Sequence, residues 1–342
     1  MDLLTLLPNE LRPLLAAALT RDPLACARAL SAWHDALGPE GLAASPADAG
    51  LFLPLIADRI LASPAAESLA PPLRTRLAGI RRQASVRNLQ VGAALGPVMN
   101  QLRAAGLEVA VVGPLGPSLP VVPSASRVDL AVAPEDFARA TTLLEAAGWR
   151  PHTPLAARLV RRAGAFVDAL DIHHLDGALA TPSLIPLTLY RAPAVPEVPG
   201  LVALAQRTLV TLARGTPGRL DPTFFIALDH VLADPNFDVH RTIAAAQHAR
   251  VTLTVTLLVE ALASLLPEGA PHGVVELRTA LAHVSADALE HATLTRLLDR
   301  RTARPLAAWT HYRHAHAGLT TVRAALAFAP VVLSRASFRV LR

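Results

Sequence analysis

The sequence contains no lysine: all 32 of its basic residues are arginine. Chemistry that depends on a lysine amine, such as a Schiff base or the phosphate clamp of a P-loop, is therefore excluded. There is one cysteine, Cys26, so no disulfide can close within the chain. That fits a reducing compartment and points to the cytoplasm. Aromatic residues make up only 4% of the chain, so its core must be built from Leu, Val and Ala. Long apolar runs are missing as well. The two longest, Val251 to Leu258 and Ala324 to Leu333 across Pro330, fall short of the roughly 18 to 20 residues of a membrane span. The opening MDLLTLLPNELRPLL has no basic stretch and carries Asp2 and Glu10 early, unlike a signal peptide. Acidic residues are absent after Asp299.

What is present favours helices. Hydrophobic residues make up 52% of the 342 positions, and the abundant Ala, Leu and Arg are good helix formers. The net charge of +5 permits anionic partners without demanding them. A nucleotide, a protein or an anionic lipid surface suits it, and nothing favours nucleic acid. Residues 1–78 read as short helices, with Leu11, Leu14, Leu15 and Leu19 spaced for one face. A longer arginine-rich helix is expected over about 73–105, with Gly96-Pro97 as a potential kink and Gly106 as its C-cap. From about residue 201 helices are expected again, among them 239–248 with Asp238 as N-cap.

Between these regions the pattern turns extended. LEVAVV (107–112) ends at Gly113-Pro114, and VDLAV (128–132) follows. Pro134-Glu135-Asp136 then opens a helix that Gly148 stops. FVDALDIH (166–173) is a further strand. Alternation puts Arg127 and Asp129 on one face of their strand, and Asp171 and His173 on one face of theirs. If the two strands are neighbours, Asp129 and Asp171 converge.

The run VVGP, then SRVDLAVAPEDFARATTLLEAAGWRP, then VDALDIHH resembles a bacterial nucleotidyltransferase family. Gly113 stands where that family has a glycine after its first strand. Asp129 stands at the second position of its Asp-x-Asp pair, and Asp171 and His173 stand in its last strand. Asp229 falls at a recurrent acidic position of the helical region that follows. The resemblance spans about residues 75–265. It implies an α+β chain, in which a small nucleotidyltransferase-like mixed sheet (79–195) lies between helical regions 1–78 and 196–342. It implies a nucleoside triphosphate with Mg2+, held by Asp129 and Asp171 as metal-binding and catalytic carboxylates. Gly113, Arg127 and His173 would contact the nucleotide, and the acceptor would be a small molecule, a sugar or a peptide.

One departure bears on that chemistry. The first aspartate of the pair is Arg127. A guanidinium about 5 Å from a divalent ion repels it by on the order of 6 kcal/mol at an effective dielectric near 20. Arg127 can instead grip a triphosphate, or pair with Asp129 or Asp171. Two functions therefore stand side by side: a nucleotidyltransferase, and an inactive relative serving as a binding or scaffold module. Asp129 and Asp171 also have an ordinary reading as strand-end acids, and His173 and His174 as packed residues. His311, His314 and His316 cluster without an evident fourth zinc ligand. The tail after Asp299 carries eight arginines among apolar residues. It reads as a docked terminal helix with a solvated face, or as a contact to an anionic membrane surface.

Overall fold

A computed structural model describes residues 3–38, 49–50, 52–112, 128–133, 135–151, 169–174, 187–191, 200–214, 223–266 and 270–299, with 306, 309–310 and 313–314. After two short 3-10 turns (Leu3–Leu6 and Asn9–Leu11) come three helices, α1 (Arg12–Leu19), α2 (Pro23–Ala36) and α3 (Leu53–Leu61). Each has proline in its first turn, where the missing N–H leaves no bond unmade. Asp22 caps α2 by accepting from the amides of Leu24 and Ala25 at 3.2 and 3.0 Å. The long helix α4 (Pro71–Ala104) follows and runs on through Pro97. It ends at Gly106, whose φ is +74°. There the Leu107 amide reaches back to the Leu102 carbonyl at 3.1 Å, a closure that needs the left-handed conformation glycine adopts freely.

Five strands come next: β1 (Val109–Val112), β2 (Val128–Val132), β3 (Trp149–Pro151), β4 (Ala169–His174) and β5 (Leu187–Arg191). Helix α5 (Phe137–Ala146) lies between β2 and β3. The strands form one sheet in the order β1-β2-β5-β4-β3. Only β2 and β5 run parallel; the other neighbours are antiparallel. Six helices complete the described chain: α6 (Gly200–Arg214), α7 (Thr223–Leu232), α8 (Val239–His248), α9 (Thr252–Leu265), α10 (His272–Leu281) and α11 (Ala288–Leu298). Asp238 caps α8 through the Arg241 amide at 2.9 Å.

The α+β expectation is corrected here. Helices make up most of the described chain, so the molecule is predominantly helical. The strands are three to six residues long. The larger core takes no residue from the sheet. It joins Leu11, Leu14, Leu30, Ile56 and Leu77 to Leu201, Phe224, Phe225, Val255 and Leu294. The reason is compositional: Ala, Leu and Arg lose little freedom in a helix, while the β-branched runs are too short to dominate. A smaller core sits under the sheet. There Leu130, Val132 and Leu189 meet Phe137 and Leu144 of α5 and Val98 and Leu102 of α4. Helix α4 belongs to both cores, through Leu73 and Leu77 near its start and Val91 to Leu102 near its end.

Among the described residues no helix is long and apolar enough to cross a membrane.

Candidate functional site

The sheet brings the two sequence-predicted carboxylate positions into one row without making their strands neighbours. Asp129 of β2 pairs with Thr188 of β5. Thr188 pairs in turn with Asp171 of β4. On the other side Asp129 pairs with Val112, the last residue of β1. The row therefore reads Val112, Asp129, Thr188, Asp171.

The adjacent row is Val111, Leu130, Leu189, Leu170. Leu130 and Leu189 in it are fully buried in the smaller core. Positions along a strand alternate between faces, so the acidic row belongs to the set opposite the one that packs on α4 and α5. The support beneath is tied together by side chains. Gln101 of α4 donates to the Leu143 carbonyl of α5 at 3.1 Å, and Arg139 of α5 donates to the Ala105 carbonyl at 2.6 Å.

The interposed strand changes the geometry expected for a metal. Strands lie about 4.8 Å apart, so the Cα atoms of Asp129 and Asp171 stand about 10 Å apart. Oxygen ligands around one Mg2+ lie at most about 4 Å from each other. In this register one ion shared by Asp129 and Asp171 would have to sit over Thr188, between the two strands that carry the acids. The expected convergence on neighbouring strands is thus replaced by a span of two strands with a threonine between. His173 falls two residues further along β4, where it pairs with Arg150 of β3. Gly113 and Arg127 lie outside the described residues. So do His311 and His316.

The expected strands do not include Thr188, because they do not include β5. Its LTLYR has the apolar alternation of a strand, Leu187 and Leu189 around Thr188, and that signal was available.

Two polar clusters lie in the helical part. Asp229 of α7 faces Arg21 at 3.6 Å. Burial pushes its carboxyl above the usual range, against the pull of Arg21, Arg59 and His230. Arg59 donates to the carbonyls of Ala18 and Thr20, closing the end of α1. Cys26 beside it is buried, and burial raises its thiol pKa, which makes it a poor nucleophile. This cluster fastens α7 to the first helices.

The second cluster gathers at the junction of α8 and α9. Arg250 closes α8 with φ +55°, the only positive φ at a non-glycine among the described residues. His314 is buried with Nε2 at 2.8 Å from the Arg250 carbonyl. Burial lowers its pKa, against the pull of that carbonyl and of Asp287. The neutral ring therefore donates through Nε2. Asp287 caps α11 through the Leu289 amide at 2.7 Å and lies 3.8 Å from Arg250. Among the described residues no group of His, Cys, Asp and Glu is arranged to hold a metal ion. No family model matches the chain, and no match is found among curated proteins or solved structures.

Proposed function

We propose that this chain is a nucleotidyltransferase-type protein that works as a nucleotide-binding module, the catalytically inactive member of the pair of readings its sequence offers. The observation that carries this is the row Asp129–Thr188–Asp171. It keeps two acidic positions and a hydroxyl residue in line on the sheet, with a whole strand between the acids. The charge reversal at Arg127 argues the same way. A guanidinium in place of a metal-binding carboxylate removes a ligand and supplies a direct partner for phosphate oxygens. Mg2+ would then arrive with the nucleotide rather than be held by a carboxylate pair, and the bound nucleotide would serve a protein partner. The active reading, transfer of a nucleotidyl group to a small molecule, sugar or peptide, keeps the support of the two retained aspartates. The cytoplasm is the proposed compartment, in keeping with a single unpaired thiol at Cys26.

The experiment titrates ATP, CTP, GTP and UTP against the purified chain with and without Mg2+, reading binding and pyrophosphate release. The expected result is binding of at least one nucleotide that Arg127→Ala weakens about tenfold, with no pyrophosphate released. Mg2+-dependent pyrophosphate release that Asp129→Ala abolishes would replace the binding module with the transferase. Absence of binding by all four nucleotides would overturn both readings.

A further inference from the structure

The helix that joins the two cores is buried along one stripe only. Leu73, Leu77, Ala84, Val91, Val98 and Leu102 of α4 are all buried, a succession that keeps to one face of an α-helix. The opposite stripe reads Arg82, Val86, Leu89, Ala93, with the i, i+4, i+7 spacing of a single helical face. Nothing in the described chain covers it. Leu89 is 75% exposed and Val86 51%, two of the most exposed large apolar side chains of the described protein. Gly79 and Gly92 border the same stripe, and each has open space where a Cβ would be. A second helix can therefore approach the backbone closely there.

Charge decides what would lie on this face. Across its 34 residues α4 has no acidic side chain at all. Of its arginines, Arg81 pairs with Asp58 at 2.8 Å. Arg74, Arg76 and Arg82 are exposed and have no ion pair among the described residues. A second copy would set arginines against arginines. The three longest of the chain's own segments outside the described residues supply little negative charge, and the shorter ones carry at most two acids each. Residues 113–127 and 315–342 contain no acid, and 152–168 contain only Asp168. A membrane surface is also a poor match. It calls for a broad apolar face with aromatic residues at its border, and here the large apolar side chains are two, one turn apart.

We propose that the outer face of α4 around Val86 and Leu89 docks an acidic amphipathic helix of a partner protein. Its apolar residues would cover Val86 and Leu89, and its carboxylates would meet Arg82 with Arg74 and Arg76 at the flanks. Helix-on-helix docking of this kind uses anchors at i, i+3/4 and i+7 with complementary charge at the rim. The proposal is independent of the nucleotide reading, because it involves neither the sheet nor its acidic row.

The test uses the full chain and two fluorescent probe helices with identical leucine positions, one carrying glutamates and the other lysines on the remaining faces. The glutamate helix should bind at least tenfold more tightly than the lysine helix. Its binding should weaken as salt rises, because exposed charges are screened. Leu89→Asp and Arg82→Glu should each weaken it at least fivefold while the circular-dichroism melt is unchanged, since both side chains are exposed. A photoreactive residue placed at position 89 in the native host should cross-link to a segment with that acidic, helical spacing, and Arg82→Glu should abolish the cross-link. Equal binding of the two helices would overturn the proposal. So would tighter binding to anionic phospholipid vesicles or to a single-stranded oligonucleotide that Leu89→Asp and Arg82→Glu abolish, or cross-linking to a second copy of the chain.

Discussion

Glu290 of α11 holds the first turn of α9, 36 residues earlier in the chain. Its Oε1 accepts from the Thr254 amide at 2.8 Å and from the Thr254 hydroxyl at 3.0 Å. The residue before α9, Val251, has no side chain able to cap it. A carboxylate from another helix therefore does the work that a local Ser or Asp normally does. Glu290 is fully buried, and its second oxygen, Oε2, has no hydrogen-bond partner.

Burial raises the Glu290 pKa, and the Thr254 and Leu253 amides offset that only in part. Between the ordinary glutamate value and the raised one, the folded chain keeps a proton that the unfolded chain has lost. This group's contribution is therefore best at the acid side of that window and declines as pH rises through it. Glu290→Gln keeps an acceptor for Thr254 and removes the ionisation. It should be as stable as the parent or more so at pH 8, by about 1 kcal/mol, with a flatter pH profile. Glu290→Ala leaves the amide buried and uncapped and should cost about 1–3 kcal/mol. Denaturant melts of the three proteins between pH 5 and 8 check this. A glutamine variant that melts with the alanine variant at pH 8 would defeat it.

The second prediction concerns the contact between His314 and the Arg250 carbonyl. The folded pKa of His314 is lowered, so the unfolded segment takes up a proton first as pH falls. The contribution of this contact is complete above the ordinary histidine value near 6.5 and is lost as pH drops through the lowered one. Amide exchange around Trp309, Thr310, Arg313 and His314, corrected for its intrinsic pH dependence, should show protection at pH 7.5 that falls at pH 5. His314→Ala should lack that protection at both. Constant protection in the parent across this range would show that the ring does not respond as argued.

Two glycines should respond oppositely to alanine. A Cβ on Gly273, in the first turn of α10, would meet the Leu232 carbonyl oxygen at 2.5 Å and Phe237 at 3.3 Å. Backbone cannot step aside cheaply, so Gly273→Ala should destabilise by about 1–3 kcal/mol. Gly79, within α4, has open space at that position. Gly79→Ala should stabilise by about 0.5–1 kcal/mol through helix propensity alone. Thermal melts of the single variants measure both. The reverse order of melting temperatures would contradict the packing described.

Local signals carried most of the helices. Asp238 announced the start of α8, and Gly106 and Gly148 announced the ends of α4 and α5, because capping involves residues within one turn. The sheet was only partly legible. The strand carrying Asp129 and the one carrying Asp171 were read, yet β5 was not, and the placement of β5 between them separates the two acids. Strand order depends on contacts distant in sequence, which periodicity does not encode. The same limit hid Glu290, whose partner Thr254 is chosen by how α9 and α11 pack. The α+β expectation came with the resemblance to a nucleotidyltransferase family, and the larger core is helical instead.

The shared core of residues 3–77 and 201–297 has a consequence for synthesis. The first three helices leave the ribosome with Leu14, Leu30 and Ile56 waiting for surfaces that are translated more than a hundred residues later. At about 5–20 residues per second, the delay before α11 is complete is roughly 10–45 s. For that interval the nascent chain carries an uncovered apolar surface at its leading end, and this is the stage at which a chaperone would find it.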